Sequence, residues 1–195
     1  MRARPVPLRT LLFALPIALS FWLADPAQAT GPYNTTSSGG DSRLMLKGHD
    51  PVAYFAQGKV AFGDPAIKTD FDGVTYRFVS EEHRFEFMKN PYKYTPQFGG
   101  FCANSMVYAL PWPGEPDSWK IIDGRLYVFG GEWPRRYFLM DEDNNERLAR
   151  HYWNDEVEGR IPIVQRARRL VIRVPHYKSD KELAAAWRTL TGEAP

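Results

Sequence analysis

The pattern of apolar and polar positions divides the chain into an apolar leader, a polar stretch without periodicity, and a long body of short elements. Leu11–Ala24 is almost wholly apolar over 14 residues, shorter than the ~18–20 a helix needs to span a bilayer. Residues 30–43 are rich in Gly, Ser, Thr and Asn, which predicts a flexible tether. Patterning begins at Leu44, and Val52-Ala53-Tyr54-Phe55 predicts a short strand. Two later segments share one design: Ile67–Phe71 and Val74–Phe78 flank Asp72-Gly73, and Trp119–Ile122 and Arg125–Phe129 flank Asp123-Gly124. Asp-Gly between β-prone runs predicts a tight hairpin, because both central turn residues need positive φ. Alternation places Val74, Tyr76 and Phe78 on one face of the returning strand.

Helical spacing appears between and after the hairpins. Ser80 suits an N-cap, with Glu81 and Glu82 where the helix dipole favours acid. Phe85, Met88 and Tyr92 then fall on one side, and Pro91 limits the helix near Asn90. Asn144–Glu158 carries Leu148, Tyr152 and Asp155 at helical spacing. Arg160–Arg173 fits either state: Pro162 suits a first helical turn, whereas Leu170–Val174 looks extended. Ser179–Thr191 is a clearer helix, with Ser179 and Glu182 placed for a capping box and Gly192 closing it.

Composition sharpens this outline. Arg2, Arg4 and Arg9 precede the apolar run, and Ala27-Gln28-Ala29 has the small-x-small form of a cleavage site. Residues 1–29 therefore predict a signal peptide, cleaved after Ala29 and directing the chain to the periplasm or the medium. Without the leader's three arginines and one aspartate, 22 basic and 22 acidic residues remain, so the charge gives no support for nucleic-acid binding. No other run approaches membrane-spanning length, and no transmembrane segment is expected once the leader is removed. The 166 residues left of 195 suffice for one domain with a real core. Cys102 is the lone cysteine, so an intramolecular disulfide is impossible. In an oxidising compartment such a thiol is buried and inert, paired with another molecule, or kept for chemistry.

Four blocks in the centre of the chain then carry a resemblance: Gly48-His49-Asp50-Pro51-Val52-Ala53-Tyr54-Phe55, Tyr76–His83, Pro91-Tyr92-Lys93-Tyr94, and Gly99-Gly100-Phe101-Cys102-Ala103. In this order they resemble the signature blocks of the YHS-domain family in its longer secreted bacterial form. The match continues more loosely through Trp119–Phe129, and residues beyond Gly159 resemble nothing familiar. Short YHS domains are associated with heavy-metal ATPases and metal-handling proteins, so the resemblance implies metal handling. Where those domains have cysteines, this chain has Ala53, Val79 and His83, and a Cys-rich tetrahedral site cannot be assembled.

The residues themselves offer another donor set. Cys102 with His83 suits copper or zinc, and Met106, four residues on, adds a thioether that would favour Cu(I). His49, beside the Asp50-Pro51 turn, is a further candidate ligand. None of these has a recognised ligand spacing. Blander roles are a hydrogen-bonded helix residue for His83, a buried thiol for Cys102, core for Met106, a turn residue for His49, and solvent-facing positions for His151 and His176. The rigid loop Leu110–Pro116 either walls a pocket beside Cys102 or caps the core. Arg166, Arg168, Arg169 and Arg173 read as a solvated helix face rather than a docking patch.

The expected fold is α+β: a small antiparallel sheet of two hairpins plus a short strand, packed by helices, over residues 44–159. A helical C-terminal extension follows over 160–195. The expected function is a non-enzymatic exported module that binds a transition metal through Cys102 with His83 or His49, its partner being that ion or another protein. The alternative is an interaction or small-ligand module with Cys102 structural; a third reading is a thiol-dependent enzyme.

Overall fold

The computed structural model describes residues 32–193, so the expected signal peptide lies outside the described residues. Its content is α+β, as the patterning predicts. Both Asp-Gly hairpins form: β3 (Asp64–Phe71) with β4 (Val74–Phe78), and β5 (Glu115–Ile122) with β6 (Arg125–Phe129). The turn residues adopt the left-handed backbone this requires, with φ of 51° and 70° at Asp72 and Gly73 and of 48° and 71° at Asp123 and Gly124.

The hairpins do not share one antiparallel sheet. β1 (Thr35–Ser38) and β2 (Asp41–Met45) form a further hairpin, and β2 runs parallel to β4 in a four-stranded sheet of order β1-β2-β4-β3. The second Asp-Gly hairpin makes a separate two-stranded sheet. Much of the stretch expected to be a tether is therefore structured. Its composition is that of a linker, but its partners lie far along the chain: the Asn34 side-chain amide donates to the Gly100 and Gly114 carbonyls at 2.9 and 3.0 Å. Asp41 is buried against Arg77, whose Nε and Nη2 donate to it at 2.9 and 2.7 Å.

Val52–Phe55 is not a strand. Val52 has helical φ and ψ and opens the one-turn helix α1 (Ala53–Ala56). The Asp50 carboxylate accepts from the Val52 and Ala53 N–H groups at 2.8 and 3.3 Å, as an N-cap does, and this overrides the β preference of the residues that follow.

Helix α2 (Glu81–Lys89) is capped by Ser80 as expected, but its buried residue is Phe87, while Phe85, Met88 and Tyr92 are exposed. Phe87 lies 4.7–6.0 Å, ring centroid to centroid, from Tyr76, Phe78 and Phe71. The face that carries Phe87 also carries His83 one turn earlier. Next come the short helices α3 (Pro91–Tyr94) and α4 (Ala103–Met106), then α5 (Glu132–Leu139) and α6 (Glu142–Tyr152), the last continuing into a π turn over Trp153–Val157. The C-terminal extension is helical, with α7 (Pro162–Val171) and α8 (Asp180–Thr191). The Ser179–Glu182 capping box is present.

Two hydrophobic clusters result, and β6 is the wall between them. Its alternation sends Tyr127 and Phe129 into the cluster built on α4, α5, α6 and the C-terminal extension. Leu126 and Val128 face the cluster of the four-stranded sheet and α2.

Candidate functional site

Two places in this frame gather chemistry-bearing side chains. The first lies at Cys102, which precedes α4 and is pinned by a hydrogen bond from its N–H to the Trp112 carbonyl at 2.9 Å. The thiol is buried in the first cluster beside Gly130, where an added Cβ would lie 3.6 Å from the sulfur. Burial pushes the Cys102 thiol up; the Ser105, Gly130 and Asn104 N–H groups and the Ser105 hydroxyl work in the other direction without offsetting it. A half-open cavity of about 360 Å³ opens against this thiol. Leu110, Trp112 and Pro113 of the rigid loop form one wall, so that loop does border a pocket beside Cys102. Leu170, Tyr177, Lys178, Asp180 and Leu183 of the C-terminal extension line it as well. A second cavity of about 330 Å³ shares Tyr108, Lys178 and Leu183 with it and continues towards α6.

The second place is the junction of the Asp50 turn with the start of α2. Asp50 is completely buried, and its two oxygens accept four hydrogen bonds. One oxygen takes the Val52 and Ala53 N–H groups; the other takes the Val79 N–H at 2.9 Å and the His83 imidazole at 2.6 Å. Because His83 Nδ1–H donates to the carboxylate, its Nε2 is left with the lone pair in the neutral ring. His49 has the same tautomer: Nδ1–H donates to the Leu46 carbonyl at 2.8 Å, and the ring lies 3.9 Å from that of Phe62, centroid to centroid.

Against protein-family models, curated proteins and solved structures, the chain finds no match. Geometry and chemistry therefore carry the functional argument.

The four expected metal ligands are divided between the two places. Cys102 and Met106 belong to the first cluster, Met106 with no exposed surface, whereas His49 and His83 flank Asp50. No histidine lines the cavity at Cys102. Among the described residues no group of three or more His, Cys, Asp or Glu is gathered around a common point. Cys102 and Met106 thus pack in one cluster while His83 and His49 flank Asp50, and no step is routed through an ion held between them. His176, expected to face solvent, is half-buried: its Nε2 donates to the Val107 carbonyl at 2.9 Å, and its ring stacks on Tyr152. His151 is exposed and pairs with Asp155 at 3.0 Å.

Sequence reasoning missed Tyr108, Tyr177, Lys178 and Asp180, which come from opposite ends of the second half of the chain. No local spacing links them. The one usable signal was the proline-bounded Trp112 loop, whose stiffness suits a wall.

Proposed function

We propose that the chain is a non-enzymatic binding module whose seat is the cavity between Cys102 and the C-terminal extension. Its occupant is a small organic molecule with an aromatic or apolar body and a polar group. The observation that carries this reading is a concave site of ligand size, about 360 Å³, in which apolar and aromatic walls meet a few polar groups, Asn104, Ser105, Lys178 and Asp180. In this reading the thiol is a neutral part of the floor. A pKa raised by burial is the reverse of what a nucleophile or thiolate ligand needs, which also argues against a thiol-dependent enzyme. The test is a fragment screen, with substituted phenols and aromatic carboxylates followed by amide NMR. Hits are expected to shift the Asn104, Ser105 and Lys178 signals together, and Lys178→Met should weaken the carboxylates selectively. A screen in which no fragment moves these amides would overturn the reading.

A second reading rests on a separate observation. A buried carboxylate that fixes one imidazole nitrogen and leaves the other available is the arrangement that orients a metal-ligating histidine. Handling of a copper or zinc ion, as the YHS resemblance implies, would then centre on His83, with His49 a neighbouring donor, rather than on Cys102. Titration with Cu(I), Cu(II) and Zn(II) against a competing chelator separates the possibilities. His83→Ala is expected to abolish binding and Cys102→Ser to leave it intact; binding that survives His83→Ala would discard this reading.

A further inference from the structure

Helix α7 is built inside out. Its inward side is polar: the Gln165 amide donates to the Ala109 carbonyl at 3.3 Å and to the Glu156 carboxylate at 2.9 Å. Arg169 Nε donates to the same carboxylate at 2.9 Å, and a second Arg169 nitrogen pairs with its other oxygen. The apolar side chains within the helix point the other way, and the isoleucines at its two ends are exposed as well. Ile161, Ile163, Val164, Leu170, Val171 and Ile172 are between 53% and 83% exposed. At roughly 100° per residue, Ile163, Val164, Ala167, Leu170 and Val171 make one stripe about 120° wide. Arg168 borders one edge of the stripe and Arg166 the other, with Arg160 and Arg173 beyond the two ends. Isolated exposed aliphatics are ordinary; six on one short segment, four of them on a single stripe, with the polar face spent on the protein body, are not.

We propose that α7 docks on an anionic lipid surface, its aliphatic stripe entering the headgroup–acyl boundary and its flanking arginines meeting the lipid phosphates. Charge complementarity selects this occupant. Among the described residues, Arg160, Arg166 and Arg173 form no ion pair with a carboxylate, and the one acid that faces α7 from the body, Glu156, is taken by Arg168 and Arg169. A second copy would bring guanidinium against guanidinium. A lipid interface accepts long cationic side chains at the edges of an apolar stripe, because their charges stay in the headgroup layer. Trp112 fits the same placement: it is partly exposed beside α7, with the Arg166 guanidinium 4.9 Å from its ring centroid, and interfacial aromatics favour that depth. No helix among the described residues is long and apolar enough to cross a membrane, so the contact is one of lying on the surface. Leu170 and Trp112 also border the cavity at Cys102, so Val164 and Val171, which do not, are the positions to substitute.

The experiment is co-sedimentation of the purified protein with vesicles of phosphatidylcholine alone and of phosphatidylcholine with phosphatidylglycerol, at low and high salt. The protein should pellet with the anionic vesicles only, and less at high salt. Val164→Glu with Val171→Glu, both exposed and outside the cavity walls, should reduce binding at least tenfold with an unchanged circular dichroism spectrum. Arg166→Gln and Arg173→Gln should each cost about fivefold. The proposal is overturned if wild type binds neither vesicle, if binding ignores lipid charge, or if it survives the Val164/Val171 variant. It is overturned equally if sedimentation equilibrium shows a dimer that the same variant dissolves, since the stripe would then belong to a second copy.

Discussion

At the scale of single residues, Asp50 does the most structural work for its size. One carboxylate starts α1, holds the exit of β4 through Val79, and aligns His83 at the first turn of α2. Asp50→Ala would strand two buried N–H groups and one partly buried one and is expected to cost about 2–4 kcal/mol, whereas His83→Ala removes one partner at the edge and should cost about 1–2 kcal/mol. Urea unfolding of both variants tests the ranking; equal losses would make the histidine, rather than the backbone, the main partner. Asp41 has a different signature. The Lys68 ammonium and then the Arg77 guanidinium hold its carboxyl below the usual carboxylate range, despite burial. A depressed folded pKa contributes stability that is present above the unfolded value of about 3.9 and lost as pH falls through the folded value. Stability measured between pH 5 and 2 should therefore fall less steeply for Asp41→Asn than for wild type. Both aspartates are plain in the sequence, Asp50 within the Gly48–Phe55 block. Their long-range partners, 27 to 36 residues away, were not.

Among elements, the hairpins were legible because their cause is local: two turn residues with the right backbone and strands that alternate on either side. α1 was not, because the β preference of Val52–Phe55 masked the local Asp50 cap, and the β1–β2 hairpin was not, because its anchoring partners Gly100, Gly114 and Arg77 lie far along the chain. The connection before β3 makes the same point. Gly63 donates its N–H to Gly48, and a Cβ there would lie 2.4 Å from the Arg77 carbonyl carbon and 2.5 Å from the Phe78 nitrogen. Gly63→Ala must push backbone from backbone and is expected to destabilise by about 2 kcal/mol or more. Gly58→Ala is the control: the residue has φ of 62° but open space around it, so only the left-handed backbone is penalised, at about 1 kcal/mol. Thermal unfolding distinguishes the two. In α2, helical spacing allowed more than one inward face, and the aromatic rings of Tyr76 and Phe78 that pack on Phe87 made the selection; the same rotation carries His83 to Asp50.

For the whole molecule, the C-terminal extension is what turns a two-cluster body into one with a seat. Val174 and Leu183 are buried in the first cluster, with Tyr177 and Trp187 packed against it, and the extension supplies one wall of each cavity. A chain ending at Gly159 should therefore unfold at lower temperature, bind a dye that reports exposed apolar surface, and lose every fragment response at Asn104 and Ser105. A truncated form with unchanged melting and intact fragment binding would show the extension to be a bystander. The sequence alone determined the α+β class, the two Asp-Gly hairpins, the caps of α2 and α8 and the helical character of the C-terminus. Each of these follows from residues within about one turn of each other, where backbone stereochemistry and capping act directly. Only the tertiary structure decided that Cys102 is buried in one hydrophobic cluster, that Asp50 orients His83, and that α7 turns its arginine and glutamine inward and its aliphatics outward. These outcomes depend on which surfaces meet across the chain, and burial, ion pairing and cavity shape arise only once they do.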